Sequence, residues 1–251
     1  MKRIIKWFKG LIRSIRRRRL KQSPLPSPRK TTGIKTKDLI ANIFLDIETS
    51  PCEEPRLDSF APKANLVDPV KIARDLEEKK DKAWRASMLD AFSGEIFCIG
   101  LALNEDEAFA ITGTDERELM QSFNEWLKDF SFPKIYAHFG STFDFQWLWY
   151  KGLKHKCPTV VNMFSKGSGL SKLIDTAKIM DNLGYKEYVS LDKMHKLLFG
   201  VPAKNMGVDG SKVFDLIMQK KGDEVIKYCV EEDVPALRRC CKELDQYGLL
   251  R

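Results

Sequence analysis

The hydrophobic and polar positions along the chain predict an alternation of strands and helices. An apolar run rich in β-branched and aromatic residues predicts a buried strand at about 41–48, with further strands at 95–103, 107–112 and 135–137. Helical periodicity covers 69–88, and the capping-box pattern Asp115-Glu-Arg-Glu118 opens a helix predicted to run through residue 130. A strand ending at Asp175 and a largely helical C-terminal region follow. The pattern predicts an α/β fold with a mixed β-sheet flanked by α-helices.

Two carboxylates interrupt the first predicted strand. Asp46 and Glu48 are two residues apart, and side chains two apart on a strand project from the same face. Like charges so close at the edge of an apolar core repel each other. The pair is therefore either a strand end that reaches solvent or a site for a divalent cation.

A further carboxylate follows the strand predicted at 135–137. Residues 138–148 predict a Gly/Ser turn and a helix that opens near Thr142, so that Asp144 falls in the first helical turn. An acid at that position is common because the helix dipole favours it. Its aromatic neighbours Phe143 and Phe145 indicate instead a carboxylate held in mostly apolar surroundings.

The last acidic cluster is Tyr228-Cys-Val-Glu-Glu-Asp-Val-Pro-Ala-Leu237, within a helical pattern. Taken alone, such a cluster is typical of a solvated helix face. Asp46/Glu48, Asp144 and Asp233 resemble the three motifs of the DEDD (DnaQ-like) 3′–5′ exonucleases, both in their order along the chain and in the type of element predicted for each. With Tyr228, the third motif resembles that of the Tyr-bearing subgroup, which includes the proofreading domains of family B polymerases. The likeness covers most of residues 40–245, and residues 64–72 and 91–100 are similar to phage and plasmid exonucleases of this type.

The resemblance implies an RNase H-like fold and hydrolysis of a terminal phosphodiester, with two divalent metal ions as cofactors. Mg²⁺ suits a site of oxygen ligands that keeps waters, and Mn²⁺ is the alternative. By the same resemblance the metal ligands are Asp46, Glu48, Asp144 and Asp233.

The resemblance also implies roles outside the metal ligands. Tyr228 would orient the attacking water, since an ordinary phenol pKa of about 10 makes it a poor base at neutral pH. Thr49, Phe139 and Phe143 would contact substrate, with the aromatic rings stacking on terminal bases. Core packing is the alternative role for such rings.

The third motif departs from the family pattern, because Tyr228 and Asp233 are five residues apart instead of four. On a regular helix of 3.6 residues per turn, Glu232 would lie over Tyr228 and could be the ligand. Pro235 lacks an amide hydrogen and clashes with the carbonyl of Glu231, so a kink or a single-turn bulge is expected at 231–235. A bulge would bring Asp233 back over Tyr228, and we predict Asp233 as the ligand.

Charge is unevenly distributed along the 251 residues. Residues 1–37 hold fourteen Lys and Arg and no acid, leaving 29 basic against 35 acidic residues elsewhere. We therefore predict a basic tail and linker at 1–37 and an exonuclease domain at 38–251, with an insertion at 53–93. Within the tail, residues 4–20 alternate apolar and basic positions at helical spacing. They predict a membrane-surface helix, a nucleic-acid-binding arm or an organelle-targeting peptide, or else a disordered extension.

The cysteines show no metal-binding spacing and predict reduced thiols in an intracellular, cytoplasmic protein, which for a virus means the host cytoplasm. The expected partners are nucleic acid, with DNA favoured over RNA, and through residues 1–21 an anionic membrane surface or DNA. A polymerase acting in trans is a further expected partner. An RNA-trimming exonuclease remains the alternative enzyme, and a catalytically silent nucleic-acid-binding or membrane-tethering subunit is the alternative outside enzymes.

Overall fold

A computed structural model describes residues 41–181, 189–203, 207 and 210–250. The predicted tail and most of the Asn/Gly-rich loop at 205–211 lie outside these residues. The strands are β1 (Asn42–Ser50), β2 (Glu95–Leu103), β3 (Phe109–Ile111), β4 (Lys134–Ala137) and β5 (Lys172–Asp175). The helices are α1 (Pro69–Ser87), α2 (Glu116–Leu127), α3 (Asp144–His155), α4 (Pro158–Phe164), α5 (Thr176–Met180), α6 (Leu191–Phe199), α7 (Gly210–Met218), α8 (Gly222–Tyr228) and α9 (Val234–Gln246), with a short 3₁₀ turn at Leu57–Ser59 and a π-helix at Cys229–Asp233 between α8 and α9.

The five strands form one mixed sheet in the order β3-β2-β1-β4-β5. β1 pairs antiparallel with β2 and parallel with β4, and β5 extends the parallel half. This is the α/β, RNase H-like sheet flanked by helices that the sequence predicts. Because β1 is the central strand, it lies between the antiparallel half of the sheet, β2 and β3, and the parallel half, β4 and β5.

Helices cover both faces of the sheet, and the two faces divide the residues of β1 between them. Ile43, Leu45 and Ile47 belong to a core shared with α2, α3 and α4. Phe44 belongs to a second core shared with α6 and α9. Because side chains alternate along a strand, Asp46 and Glu48 lie on the same face as Phe44, towards the C-terminal helices.

The predicted elements agree with the structure in type, and their ends differ by a few residues. β2 has the predicted bounds, whereas β3 is shorter than predicted and α2 ends at Leu127 instead of residue 130. The predicted cap is present, since the Asp115 side chain accepts a hydrogen bond from the Glu118 amide at 2.9 Å. α3 begins at Asp144, two residues later than predicted, because the preceding residues form a tight loop.

The segment 53–93 consists of the 3₁₀ turn, α1 and their connections. The Trp84 ring contacts the Phe214 ring edge-on at 5.2 Å between centroids, and the Arg85 guanidinium lies 4.2 Å above the same ring. Arg85 also pairs with Asp215 at 2.8 Å. These contacts attach α1 to α7, so the segment packs against the body of the protein. In the part of the chain that the structure describes, no helix is long and apolar enough to cross a membrane.

Candidate active site

Asp46 and Glu48, the first two carboxylates, lie in the later part of β1, the central strand of the sheet. Glu48 is buried and Asp46 half-buried, and ligand atoms of these two residues and of Cys229 lie within 4.8 Å of one another. The register between β1 and β2 shifts after Glu48. A bulge of this kind bends a strand and redirects its side chains, and here it follows directly after the acidic pair.

Asp144 is positioned by the loop between β4 and α3. Phe139 has a left-handed backbone with φ of 62°. The loop then passes so close to its surroundings at Gly140 that a Cβ there would lie 2.7 Å from Ala137 and Phe145. The Asp144 carboxylate reaches back to β1 and accepts a hydrogen bond from the Ile47 amide at 3.0 Å. The second motif is thereby joined to the backbone residue between Asp46 and Glu48.

Asp175, which was not predicted as a site residue, supports this loop. Asp175 ends β5, and its carboxylate accepts hydrogen bonds from the amides of Ser141 at 2.9 Å and Ala177 at 3.0 Å. The neighbouring Thr176 hydroxyl lies 2.9 Å from Nδ1 of His138, and Nε2 of that ring lies 2.8 Å from the Val189 carbonyl. The signal was present in the sequence as an Asp-Thr pair at the end of a predicted strand. Asp175 positions the loop that carries Asp144.

The environment of Asp144 disfavours its charged form. Burial, with smaller contributions from Asp175 and Asp233, raises the pKa of this carboxyl to about 7, although the Ile47 hydrogen bond acts in the opposite direction. Burial is thus the main cause of the raised pKa of Asp144, and repulsion from Asp175 and Asp233 adds to it.

The third motif contains a π-helix in place of a regular helical turn. Cys229–Asp233 form this turn, and its wider hydrogen bond runs from the Val234 amide to the Cys229 carbonyl, five residues back. The predicted bulge is thus present and lies slightly earlier than predicted, between Tyr228 and Asp233. A turn of this width aligns residues five apart. The Tyr228 hydroxyl hydrogen-bonds the Asp233 carboxylate.

Tyr228 is fully buried among the carboxylates. Burial, then Asp233, and then Glu48 and Asp46 raise the pKa of its phenol well above the ordinary value. Asp233 raises the pKa of both Tyr228 and Asp144, so its carboxylate lies near both of these side chains. Glu232 is buried as well, at 6% exposure. The choice between Glu232 and Asp233 as a metal ligand stays a prediction.

The residues predicted to contact substrate have different surroundings. Thr49 is buried, and its hydroxyl donates to the Met88 carbonyl at 2.7 Å. Phe139 and Phe143 are half-buried on the loop beside Asp144, and the Phe143 ring packs against Trp147 with 5.6 Å between centroids. Phe145 belongs to the core. Phe139 and Phe143 are thus each partly exposed, and Phe143 also packs against the core.

A thiol is also part of the site and was not predicted there. Cys229 Sγ lies 3.4 Å from the Asp46 carboxylate, and the same side chain contacts Cys98 on β2. The Cys98 contact, burial and the nearby carboxylates raise the pKa of the Cys229 thiol. The protonated thiol is a weak donor to Asp46. All six cysteines lie within the described residues, and each is a free thiol.

Asp46 and Glu48 lie together with Cys229, Asp144 is hydrogen-bonded to the backbone residue between them, and Tyr228 is buried in contact with Asp233 beside them. Oxygen donors from Asp46, Glu48, Asp144 and Asp233 suit a hard divalent cation, which would offset their repulsion. This donor set, on an RNase H-like sheet, is suited to phosphodiester hydrolysis.

A protein family described as predicted 3′–5′ exonucleases related to the exonuclease domain of PolB matches residues 96–236, more than half of the chain. The chain therefore belongs to this family. The matched region contains the second and third motifs, and Asp46 and Glu48 precede it. No curated protein has a significant match to the chain.

The fold is similar to that of a family B DNA polymerase from the hyperthermophilic archaeon Pyrobaculum calidifontis. The match has a TM-score of 0.56 at 13% sequence identity and covers 84% of this chain. It covers 25% of the polymerase, so the chain corresponds to about a quarter of that protein's length. The family and the fold together identify a nuclease-like domain related to polymerase exonuclease domains.

Proposed function

We propose that the protein is a metal-dependent 3′–5′ exonuclease that hydrolyses terminal phosphodiesters of single-stranded DNA. The observation that carries this proposal is the π-helical turn at Cys229–Asp233. It accommodates the extra residue of the third motif and allows Tyr228 and Asp233 to meet. The carboxylates on β1 and at the start of α3 adjoin the same cluster.

The donor set fits a divalent cation on the chemistry of its atoms. Asp46, Glu48, Asp144 and Asp233 would hold Mg²⁺ or Mn²⁺, since carboxylate oxygens are the ligands both ions prefer. The raised pKa of Asp144 supports this fit, because a cation would relieve the repulsion that contributes to it. When bound, such ions activate a water as nucleophile and stabilise the departing oxygen.

The other residues of the site bind and orient. The Tyr228 phenol keeps its proton at neutral pH because burial and three carboxylates disfavour the phenolate. Its hydroxyl can therefore donate or accept a hydrogen bond to place a water, and it does not act as the base. Asp175 holds the loop that presents Asp144 and the half-buried Phe139 and Phe143. Those two rings offer faces for a terminal base.

DNA is favoured as substrate because the family is related to the exonuclease domain of PolB and the similar fold is that of part of a DNA polymerase. RNA trimming uses the same catalytic groups, and contacts to the 2′-hydroxyl would distinguish it. A catalytically silent subunit is less well supported. The five-residue spacing between Tyr228 and Asp233 would favour it, and the π-helix accommodates that spacing.

The test is hydrolysis of matched single-stranded DNA and RNA oligonucleotides labelled at the 5′ end. We expect Mg²⁺ or Mn²⁺ to produce a ladder that shortens one nucleotide at a time from the 3′ end, with faster shortening of DNA. Asp46→Ala, purified in the same way and folded, controls for contaminating nucleases and should be inactive. A folded wild-type protein that degrades neither strand with either metal would refute the proposed function.

A further inference from the structure

Two large apolar side chains are exposed on a short loop beside the candidate active site. Leu89 and Phe92 are 74% and 76% exposed and lie in the connection between α1 and β2. Met88, directly before them, is buried in a small core with Val213, Phe214 and Val225. The loop is thus anchored at its start and presents two apolar side chains to solvent.

The loop is held in shape by its own hydrogen bonds. The Asp90 carbonyl accepts hydrogen bonds from the amides of Ser93 at 3.1 Å and Gly94 at 2.9 Å. The Asp90 carboxylate accepts from the Phe92 amide at 3.2 Å and from the Ser93 hydroxyl. The hydrogen bonds fix the shape of the turn, and its exposed residues are Leu89 and Phe92 together with the polar Asp90 and Ser93.

Contacts on both sides tie the loop to the site. The Met88 carbonyl accepts the hydrogen bond of Thr49, which follows Glu48 on β1. A Cβ at Gly94 would lie 2.4 Å from the Ser87 carbonyl and 2.8 Å from the Trp147 ring, so the end of the loop passes directly over α3. The two ends of the loop therefore contact residues that adjoin the first motif, at Thr49, and the second motif, at Trp147.

The exposed ring of Phe92 is supported by a second aromatic ring. Its centroid is 4.6 Å from that of Tyr150, which is half-buried on α3. Tyr150 follows Asp144 by six residues, which corresponds to about 9 Å along the helix axis. A nucleic acid whose 3′ end lies at the carboxylates would reach this distance within its last few nucleotides.

We propose that Leu89 and Phe92, with Tyr150 behind the Phe92 ring, form a stacking platform for the bases that lie upstream of the two 3′-terminal nucleotides of a single strand. The inference rests on the proposed function, since it places the 3′ end at the carboxylates. The platform is continuous with that site, and an apolar surface recognises base faces instead of phosphates. In a duplex the base faces are covered by their neighbours, so the platform selects single strands without selecting sequence.

The test compares Leu89→Ala and Phe92→Ala with Phe132→Ala, which removes another exposed phenylalanine. Phe132 is 63% exposed and lies two residues before β4, near the start of β1 and away from Asp46 and Glu48 in its later part. The substrates are a single-stranded DNA decamer and a dinucleotide that is too short to reach the platform. We expect kcat/KM on the decamer to fall about 5- to 150-fold in the platform variants, as expected for the loss of one stacked base. Hydrolysis of the dinucleotide should be unchanged, and Phe132→Ala should match the wild type.

A binding measurement in EDTA keeps the inference separate from catalysis. The probe is a decamer with 2-aminopurine at one of positions three to five from the 3′ end or, as a control, near the 5′ end. Fluorescence should be quenched only for the positions near the 3′ end, and Phe92→Ala should relieve the quenching. If the decamer is hydrolysed but the Phe92→Ala and Phe132→Ala variants behave alike in both assays, the platform is wrong while the exonuclease stands. If quenching depends on Phe92 but nothing is hydrolysed, the platform stands as a binding surface and the proposed function fails.

Discussion

At the scale of single residues, Asp144 has the environment with the clearest measurable consequence. Its pKa in the folded protein is raised to about 7, mainly by burial, whereas an unperturbed aspartate has a pKa of about 3.9. The folded state therefore binds a proton that the unfolded state releases as the pH rises from about 4 to 7. The stability associated with the protonated form is present at low pH and is lost as the pH rises through this range.

We predict that Asp144→Asn makes the metal-free protein more stable than the wild type at pH 8, by on the order of a few kcal/mol. Asparagine retains an oxygen to accept the Ile47 hydrogen bond and carries no charge. The measurement is urea unfolding in EDTA at pH 5 and pH 8, and the gain should be smaller at pH 5. Mg²⁺ should stabilise the wild type and have less effect on the variant. A variant that is less stable than the wild type at both pH values would contradict the role assigned to repulsion.

At the scale of elements, the contact between β2 and the π-helix determines where the third motif lies. Gly100 pairs with Asp46 across the sheet, and a Cβ at this glycine would lie 2.3 Å from Cys229 Sγ and 3.0 Å from Val234. Only a residue without a side chain permits so close an approach. The position of the π-helix, and of Asp233 at its end, therefore depends on Gly100.

We predict that Gly100→Ala lowers the free energy of unfolding by about 1–3 kcal/mol, as overpacking of a core does, and strongly reduces metal-dependent hydrolysis. Combining it with Cys229→Ala removes the closest clashing atom and should restore part of both properties. Denaturant midpoints and rates are measured for the two single variants and the double variant, with Cys229→Ala as the reference. If Gly100→Ala alone has wild-type stability and rate, the contact does not position the motif.

The elements also show which features of the structure could be predicted from the sequence. The predicted elements have the observed type, although the helix α4 was not predicted, and the existence of a bulge followed from Pro235, which cannot donate a hydrogen bond to a regular helix. The location of the bulge at 229–233 was not predictable in the same way, because it depends on how Cys229 and Val234 pack against β2. Likewise, the hydrogen bonds from Thr49 to Met88 and from Ser141 to Asp175 join residues more than thirty positions apart. No local pattern contains such contacts.

At the scale of the whole molecule, the uneven distribution of charge distinguishes two properties, the binding of polyanions and catalysis. Residues 1–37 carry the excess of basic charge, whereas the rest of the chain is acidic overall. An acidic body is not attracted to a polyanion by its net charge. We therefore predict that the tail binds long DNA or anionic surfaces and that the remainder of the chain carries catalysis.

We predict that a variant beginning at Lys37 hydrolyses short single strands with an unchanged maximal rate. It should bind long DNA or anionic vesicles more weakly than the full chain, and the binding that depends on the tail should decrease steeply with salt. Rates on a short oligonucleotide and sedimentation with vesicles or DNA at two salt concentrations measure the two properties. A folded variant that is inactive on the short strand would contradict the assignment.

The central claim is that a π-helical turn brings Asp233, and not Glu232, into the metal-binding site with Tyr228. The most direct measurement is the rate of metal-dependent nucleotide release by three single variants, Asp233→Asn, Glu232→Gln and Tyr228→Phe. Asn and Gln preserve the shape of the acids and remove their charge, so each variant reports on one ligand. We expect Asp233→Asn to lose several orders of magnitude, Tyr228→Phe to be intermediate and Glu232→Gln to remain close to the wild type. An inactive Glu232→Gln beside an active Asp233→Asn would contradict the account.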